Sequence, residues 1–361
     1  MKILLMGLGK LKFMPYMNFY LDNIDKNRHD IHLLCWNRDL LPDTSLNTDG
    51  ITIHEYECYQ EDDVPKAEKL KSFAGYRKYA LELLKKEQFD FIIIAHSLTG
   101  IVLWDYISVK YRGRYIFDYR DFTYESFLPF KCAVAALVKN SVFTFVSSDA
   151  YRIYLPPTEA HKIHTIHNLD SQLLSSWDSN CSYVNQADKI RVGFWGFIRD
   201  YRLNCKIIEE LGNDSRFELH YYGREHAICL DLKKFTEDKG FSNVFFHGEY
   251  NPEDKAEILK NTDLIHNIYD DTGARLATGN KFYDGIIAGK PQVCMTGSYM
   301  SALCKSNGVG FACSPYTEGF ADKLYNGYTE IQKIDLKSDF QKALASIISQ
   351  QEINISRIKE I

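Results

Sequence analysis

The chain has 361 residues, with 43 Lys and Arg against 48 Asp and Glu, a net charge of −5. At roughly 100–200 residues per domain, two domains are expected. A 45% apolar, 25% charged composition excludes a disordered or collagen-like chain, and with neither half basic, sequence-independent nucleic-acid binding is not expected.

Nine cysteines are scattered without a C-x-x-C pair, so neither a zinc ribbon nor a redox dithiol is expected. They read as free thiols of a reducing compartment. The first apolar run is short and is interrupted by Lys10 and Lys12, unlike a signal peptide. No other apolar run approaches the ~20 residues that span a bilayer. A cytoplasmic chain is expected.

Short apolar runs alternate with amphipathic stretches from the start. Residues 3–6, 31–35, 91–95, 115–117 and 142–146 read as strands buried on both faces. Residues 64–86 and 126–139 read as helices between them. This alternation builds a parallel sheet with helices on both sides. Gly7-Leu8-Gly9-Lys10 follows the first strand, and Gly9 would let backbone N–H groups approach a phosphate. The third glycine of a dinucleotide fingerprint is missing, because Lys12 holds its place. A nicotinamide cofactor is therefore not expected. His96 follows the 91–95 strand and Arg120-Asp121 follows the 115–117 strand. Both lie at carboxyl ends, where open α/β sheets bind ligands.

Residues 168–188 are polar and without period, which places an interdomain linker at 171–188. An N-terminal domain of residues 1–170 precedes it, and a second domain of residues 189–337 follows. The strand pattern restarts at 190–194, 217–222, 244–246, 264–268 and 291–295, the last completing the sheet. Gly196, Gly223 and Gly248 sit in the turns. Leu203, Ile207, Ile208 and Leu211 mark a helix that Gly212 ends. Arg199 and Arg202 fall near its N-terminus, which already favours an anion.

Residues 278–291 carry the densest signal. Asn280 reads as an N-cap, and Gly289 with Pro291 as a stop. Lys281 and Asp284, three apart, share a helix face. A cation followed one turn later by a carboxylate suits a nucleoside diphosphate sugar. The cation meets the phosphates and the carboxylate accepts the ribose hydroxyls. A plain ion pair between the two is the alternative. A final helix is expected over 338–361, packing back on the N-terminal domain.

Several pieces, in this order, resemble the donor domain of GT-B glycosyltransferases of the retaining family 4. They are Val192-Gly193-Phe194-Trp195-Gly196 with Arg199, Leu219-His220-Tyr221-Tyr222-Gly223, and Asn243-Val244-Phe245-Phe246-His247-Gly248. Thr262-Asp263-Leu264, Asn280-Lys281-Phe282-Tyr283-Asp284 and Ala288-Gly289-Lys290-Pro291 continue the likeness. Ile163-His164-Thr165-Ile166-His167-Asn168-Leu169-Asp170 is similar to the family's end of the acceptor domain. Trp36-Asn37-Arg38-Asp39 and Asp118-Tyr119-Arg120-Asp121 resemble a bacterial subgroup associated with surface polysaccharides.

The resemblance implies two doubly wound, Rossmann-like α/β domains facing a cleft. It implies a nucleotide-sugar donor, which is a substrate and not a cofactor, and a glycan or lipid-linked glycan acceptor. Gly9, Gly196, Arg199, Gly223, Gly248, Asn280, Lys281 and Asp284 become donor-binding candidates. His96, Arg120 and Asp121 become acceptor-side candidates, and Arg199, Lys281 and Asp121 catalytic ones. Two departures stand out. Leu276 occupies the place of the first of the family's two acids eight apart, and Asp284 replaces the usual second Glu. No Asp-x-Asp occurs, and Asp62-Asp63 and Asp270-Asp271 lie in no metal motif, so a metal-independent enzyme is expected. Seven basic and two acidic residues over 64–86, with Phe127, Phe130, Lys131 and Val134 beyond, allow peripheral contact with the inner face of the cell membrane. A GT-B nucleotide-sugar epimerase and a non-catalytic GT-B subunit are the alternative readings.

Overall fold

Ile3, Leu4, Leu5 and Met6 are fully buried, as a strand covered on both faces must be. In the computed structural model, which describes residues 1–42, 49–60, 65–177 and 189–361, they belong to an interior strand of a parallel sheet. Two units are present. The first comprises residues 1–166 and 350–361, and the second residues 167–349. Asp62-Asp63, Cys181 and linker residues 178–188 lie outside the described residues.

The first unit is built from β1 (Lys2–Met6), α1 (Asn18–Leu21), β2 (Asp30–Asn37), β3 (Ile51–Glu57), α2 (Lys66–Glu87), β4 (Phe91–Ala95), α3 (Ser97–Lys110), β5 (Tyr115–Tyr119), α4 (Leu128–Asn140), β6 (Phe143–Val146) and β7 (Ile163–Thr165). Its seven strands run in the order β3-β2-β1-β4-β5-β6-β7, all parallel. Leu5, Leu33, Ile93, Ile116 and Phe145 share one core cluster with Met17, Tyr20 and Ile358.

The second unit begins with α5 (Ser171–Ser176), so the expected linker opens as a helix capped by Asp170. Then follow β8 (Ile190–Trp195), α6 (Tyr201–Leu211), β9 (Phe217–Tyr222), α7 (Ala227–Lys239), β10 (Val244–Phe246), α8 (Lys255–Lys260), β11 (Leu264–Asn267) and α9 (Thr272–Leu276). The unit goes on with α10 (Asn280–Ala288), β12 (Gln292–Met295), α11 (Tyr299–Asn307), β13 (Gly310–Cys313) and α12 (Phe320–Gln332), and α13 (Leu336–Lys359) begins in it and ends among the residues of the first unit. Its strands run β10-β9-β8-β11-β12-β13, again all parallel. β12 does not complete the sheet, because β13 pairs beyond it. α13 contributes Phe340, Ala343 and Ile347 to the second unit's core and Ile358 to the first's.

Both sheets reverse their winding at a central pair, β1/β4 and β8/β11. The loops leaving the two strands there turn to opposite faces and open a crevice at the carboxyl edge.

α10 packs tightly on its sheet because Gly285 has no side chain. A Cβ there would stand 2.6 Å from Gln292 Nε2 and 2.7 Å from Ile265 Cδ1. Gln292 cannot yield easily, since it donates to the Phe282 carbonyl and accepts from Asn267. Gly285→Ala is therefore expected to destabilise the protein by about 1–2 kcal/mol despite alanine's better helix propensity. Urea denaturation measures this, and an unchanged or raised midpoint contradicts the packing argument.

Candidate functional site

The crevice between β8 and β11 holds most of the second-unit candidates. β8 ends at Trp195, and the chain turns at Gly196 with φ +111°. A Cβ on Gly223 would lie 2.2 Å from the Gly196 carbonyl oxygen, so the loops after β8 and β9 touch backbone to backbone. Gly196 N–H donates to Tyr222, and Gly223 N–H donates to Gly248, linking three loops. The next segment is fixed in turn. Asp200, at φ +63°, caps α6 by accepting from Leu203 N–H. Asn204 donates to the carbonyls of Arg199 and Asp200 and accepts from the Tyr221 hydroxyl. Arg199 itself is exposed, with Phe197 alongside and that ring stacked 4.3 Å from His226.

α10 supplies the other half. Its N-cap is Gly279, one residue before the expected Asn280, which is exposed in the first turn. No side chain caps this helix start. Lys281 is buried, and its ammonium is not bonded to Asp284 as the plain ion-pair alternative had it. Its ammonium donates to the Trp195 carbonyl at 3.0 Å and to the Tyr269 hydroxyl, and lies 4.0 Å from the centre of the Phe194 ring. Burial pushes its pKa down to about 7; Asp284 opposes the shift, while Arg199 and Lys255 add to it. Neighbouring His266 is pushed down to about 3 by burial and then by Lys281, so it stays neutral.

Asp284 is buried too. One carboxylate oxygen accepts from the Trp195 indole at 2.9 Å and the other from Lys255 at 3.4 Å. Burial raises its pKa, and Lys255 and Trp195 hold it back. Lys255 also pairs with Asp170 at 2.6 Å. Asp284 thus takes its ion partner from α8, whereas Lys281 bonds neutral oxygens. Trp195 serves both, through its carbonyl and its indole.

Sequence reasoning missed Trp195, Lys255, Tyr269 and Arg275 as site residues. Trp195 carried a signal, since a buried indole N–H needs a partner. Lys255 carried none, because its partners lie 85 and 29 residues away. On the rim, Arg275 pairs with Asp270 at 2.6 Å, and Asp271 caps α9. Among the described residues, no group of three or more His, Cys, Asp or Glu is arranged to hold a metal ion.

The remaining candidates belong to the first unit. Gly9 sits in the β1 loop, and the following Lys10 is buried against Asp39 and the Leu41 carbonyl. His96 caps α3, accepting from Leu98 N–H through Nδ1, while its Nε2 lies 3.3 Å from Asp121. Both residues have left-handed backbones, φ +81° and +59°, and such strain clusters at functional loops. Arg120 does not accompany Asp121 outward. It is buried on Asp118 at 2.9 Å and over the Tyr16 ring.

No family model matches the chain, and no curated protein matches it in sequence. Solved structures do match along its length. Sucrose-phosphate synthase from Thermosynechococcus elongatus aligns at TM-score 0.72 and 10% identity, covering 99% of this chain and 98% of the other. Anabaena HepE, in complex with UDP and glucose, aligns at 0.68 and 15%, covering 99% of each. WaaG, a glycosyltransferase involved in lipopolysaccharide biosynthesis, aligns at 0.64 and 13%, again over 99% of each. The fold is GT-B. At such identities the likeness is one of fold, and the chemistry has to come from the site.

Lys281 gives that site a measurable signature. The unfolded chain holds the proton up to about pH 10.4, whereas the folded chain releases it near 7. Between those values the unfolded state binds more protons, so this group makes stability rise with pH. Relative to Lys281→Met, wild type is expected to gain on the order of 3 kcal/mol between pH 6 and pH 10. Denaturation of both proteins across that range checks it, and a pH-independent difference contradicts a buried, titrating ammonium.

Proposed function

We propose that the chain is a glycosyltransferase of hexosyltransferase type. It moves a sugar from a nucleoside-diphosphate donor to a hydroxyl acceptor, with retention, in the synthesis of bacterial capsule, exopolysaccharide or O-antigen. The observation that carries this reading is the buried Lys281 ammonium at the uncapped start of α10, with exposed Arg199 on the neighbouring loop. A cation poised near neutrality suits a dianionic diphosphate better than a purely structural role. The structure with UDP and glucose bound to HepE, and WaaG's part in lipopolysaccharide biosynthesis, agree with this donor class and pathway.

In this reading, Lys281 and Arg199 neutralise the charge that builds on the β-phosphate as the glycosidic bond breaks. The acceptor oxygen bonds to the anomeric carbon on the face the phosphate leaves. Its proton passes to the departing phosphate oxygen, so no protein nucleophile is required. Asp284 accepts the ribose hydroxyls with lone pairs left over from Trp195 and Lys255. His96 and Asp121 orient the acceptor hydroxyl. No cofactor or metal takes part.

Among the described residues no helix is long and apolar enough to cross a membrane. Of the residues expected on this face, Phe130 and Val134 are instead buried in the core, but exposed Tyr124, Phe127 and Leu128 precede Lys131 at the start of α4. That pattern supports peripheral contact with an anionic membrane, where a lipid-linked acceptor would reside.

The test is turnover with UDP- and GDP-sugars. Transfer, or slow hydrolysis without acceptor, supports the reading. Sugar interconversion points to an epimerase, and binding without turnover to a non-catalytic subunit. Lys281→Ala and Arg199→Ala are expected to lower kcat by roughly a hundredfold each. A change confined to KM overturns their leaving-group role.

Chelation gives a separate check. Turnover is expected to survive exhaustive EDTA within about twofold, because fixed cations do the work an ion would otherwise do. Loss restored by Mg²⁺ or Mn²⁺ contradicts metal independence.

A further inference from the structure

Two pairs of histidines occupy the same place in the two sheets. β3 and β10 are the edge strands beside β2 and β9. His32 on β2 lies opposite Thr52, and His54 stands two residues beyond Thr52. His220 on β9 lies opposite Phe245, and His247 stands two residues beyond Phe245. A hydrogen bond crosses each strand pair, between His54 Nε2 and His32 Nδ1 at 2.8 Å and between His247 Nε2 and His220 Nδ1 at 3.0 Å. The rings are stacked, with centroids 5.1 and 5.2 Å apart. A carboxylate two residues before each inner histidine lies beside its other nitrogen. Asp30 Oδ2 is 3.1 Å from His32 Nε2, and Glu218 Oε2 is 3.6 Å from His220 Nε2. An ionised carboxylate only accepts, so neutral His32 carries its proton on Nε2, its Nδ1 accepts, and His54 Nε2–H donates.

We propose that the two trios, Asp30–His32–His54 and Glu218–His220–His247, are acid-released clasps that fasten the edge strand of each sheet. The inference does not rest on the glycosyl-transfer reading. A neutral pair has one proton between its facing nitrogens, and a first added proton leaves that bond in place. Asp30 and Glu218 favour that first charge. A second added proton makes both rings imidazolium. Each facing nitrogen then carries a proton, the bond is lost, and two like charges meet in a half-buried stack. Little nearby favours the second charge. Lys2 and Lys86 oppose it on His54, where only Glu87 helps, and Arg191 opposes it on His220. Glu218, which helps there, is itself bonded by Lys189. Rings of Phe89, Tyr222 and Phe245 take up further contacts. Burial foremost, and the partner imidazole for His54 and His220, hold His54, His220 and His247 below the ordinary histidine value. The unfolded chain therefore takes up these protons first, so the clasps' contribution to stability is full above about pH 6.5 and is lost as the pH falls. Opening β10 reaches the crevice, because Gly248 follows His247 and its carbonyl accepts from Gly223 N–H.

The experiment is amide hydrogen exchange, read by mass spectrometry on the full chain at about pH 7.5 and about pH 5, with each rate corrected for the intrinsic pH dependence of exchange. Protection of β3 and β10 is expected to fall about tenfold at the lower pH, the loss of one hydrogen bond between the rings, while interior strands β1 and β8 fall by less than about twofold. Glutamine places an amide N–H where the outer imidazole has its Nε2–H, but it takes up no proton. His54→Gln is therefore expected to abolish the acid loss in β3 and leave that in β10, and His247→Gln to do the reverse. An equal fall in edge and interior strands overturns the inference. So does an edge whose protection does not change with pH, or an acid loss that survives the glutamine in its own sheet. Should one variant fail to fold, the variant in the other sheet and the wild-type comparison still decide.

Discussion

An ammonium ion taken out of water must be met by carboxylates or by several acceptor oxygens. Lys281 is met by a backbone carbonyl, a phenol oxygen and the face of a ring. The carboxylate that favours its charge, Asp284, accepts its own bonds from Trp195 and Lys255. The site is thus left with partial compensation, which a bound dianion would complete. Much of the second unit's local geometry serves this arrangement. β8 must end with Trp195 turned so that its carbonyl and indole face α10. The chain must then leave through a left-handed turn at Gly196, and α10 must pack close enough on the sheet to bring its first turn under that strand end.

The sheet order explains why these parts meet. At the β8/β11 pair the winding reverses, so the connections leave to opposite faces, which opens a crevice at the strand ends. Backbone N–H groups of the loops after β8 and β9 are held there by the Gly196–Tyr222 and Gly223–Gly248 bonds. The first unit repeats the arrangement at β1/β4, where the Gly7–Lys10 loop and His96 lie at neighbouring strand ends. One topology, used twice, makes two crevices at the carboxyl edges, and side chains decide what each can do.

The layers of this fold were legible because fully buried parallel strands announce themselves. Residues 91–95 are apolar throughout and form β4 with those same bounds. β3 was not read, because Ile51–Glu57 carries Thr, His and Glu and lies half-open at a sheet edge, where pairing is set by its neighbour β2. β13 escaped for a like reason, being four residues at the opposite edge of the second sheet. In the site, spacing placed Lys281 and Asp284 on one helix, but it could not show that both turn inward. That depends on Trp195 and Lys255, which approach through tertiary packing. The N-cap slipped by one residue because Asn280 is a strong capping type, whereas Gly279 holds that position through its backbone.

Arg120 and Asp121 show how a buried pair shapes an exposed one. Asp118 is completely buried and binds Arg120 and the Tyr20 hydroxyl, so the guanidinium must point into the unit. The Arg120 carbonyl is fixed as well, by the Ser97 hydroxyl at 2.6 Å. With the side chain and the carbonyl of Arg120 both committed, the chain leaves the strand end by a left-handed turn at Asp121. The carboxylate is thereby thrown outward, towards His96. His96 is constrained from its own side, since its N–H donates to the Asp118 carbonyl while its Nδ1 caps α3. With Nδ1 accepting, the ring proton of neutral His96 resides on Nε2, facing Asp121. The left-handed turn at Asp121 therefore follows from the buried Asp118–Arg120 pair, and that pair helps keep a half-buried histidine and an exposed carboxylate together at the carboxyl edge of the sheet.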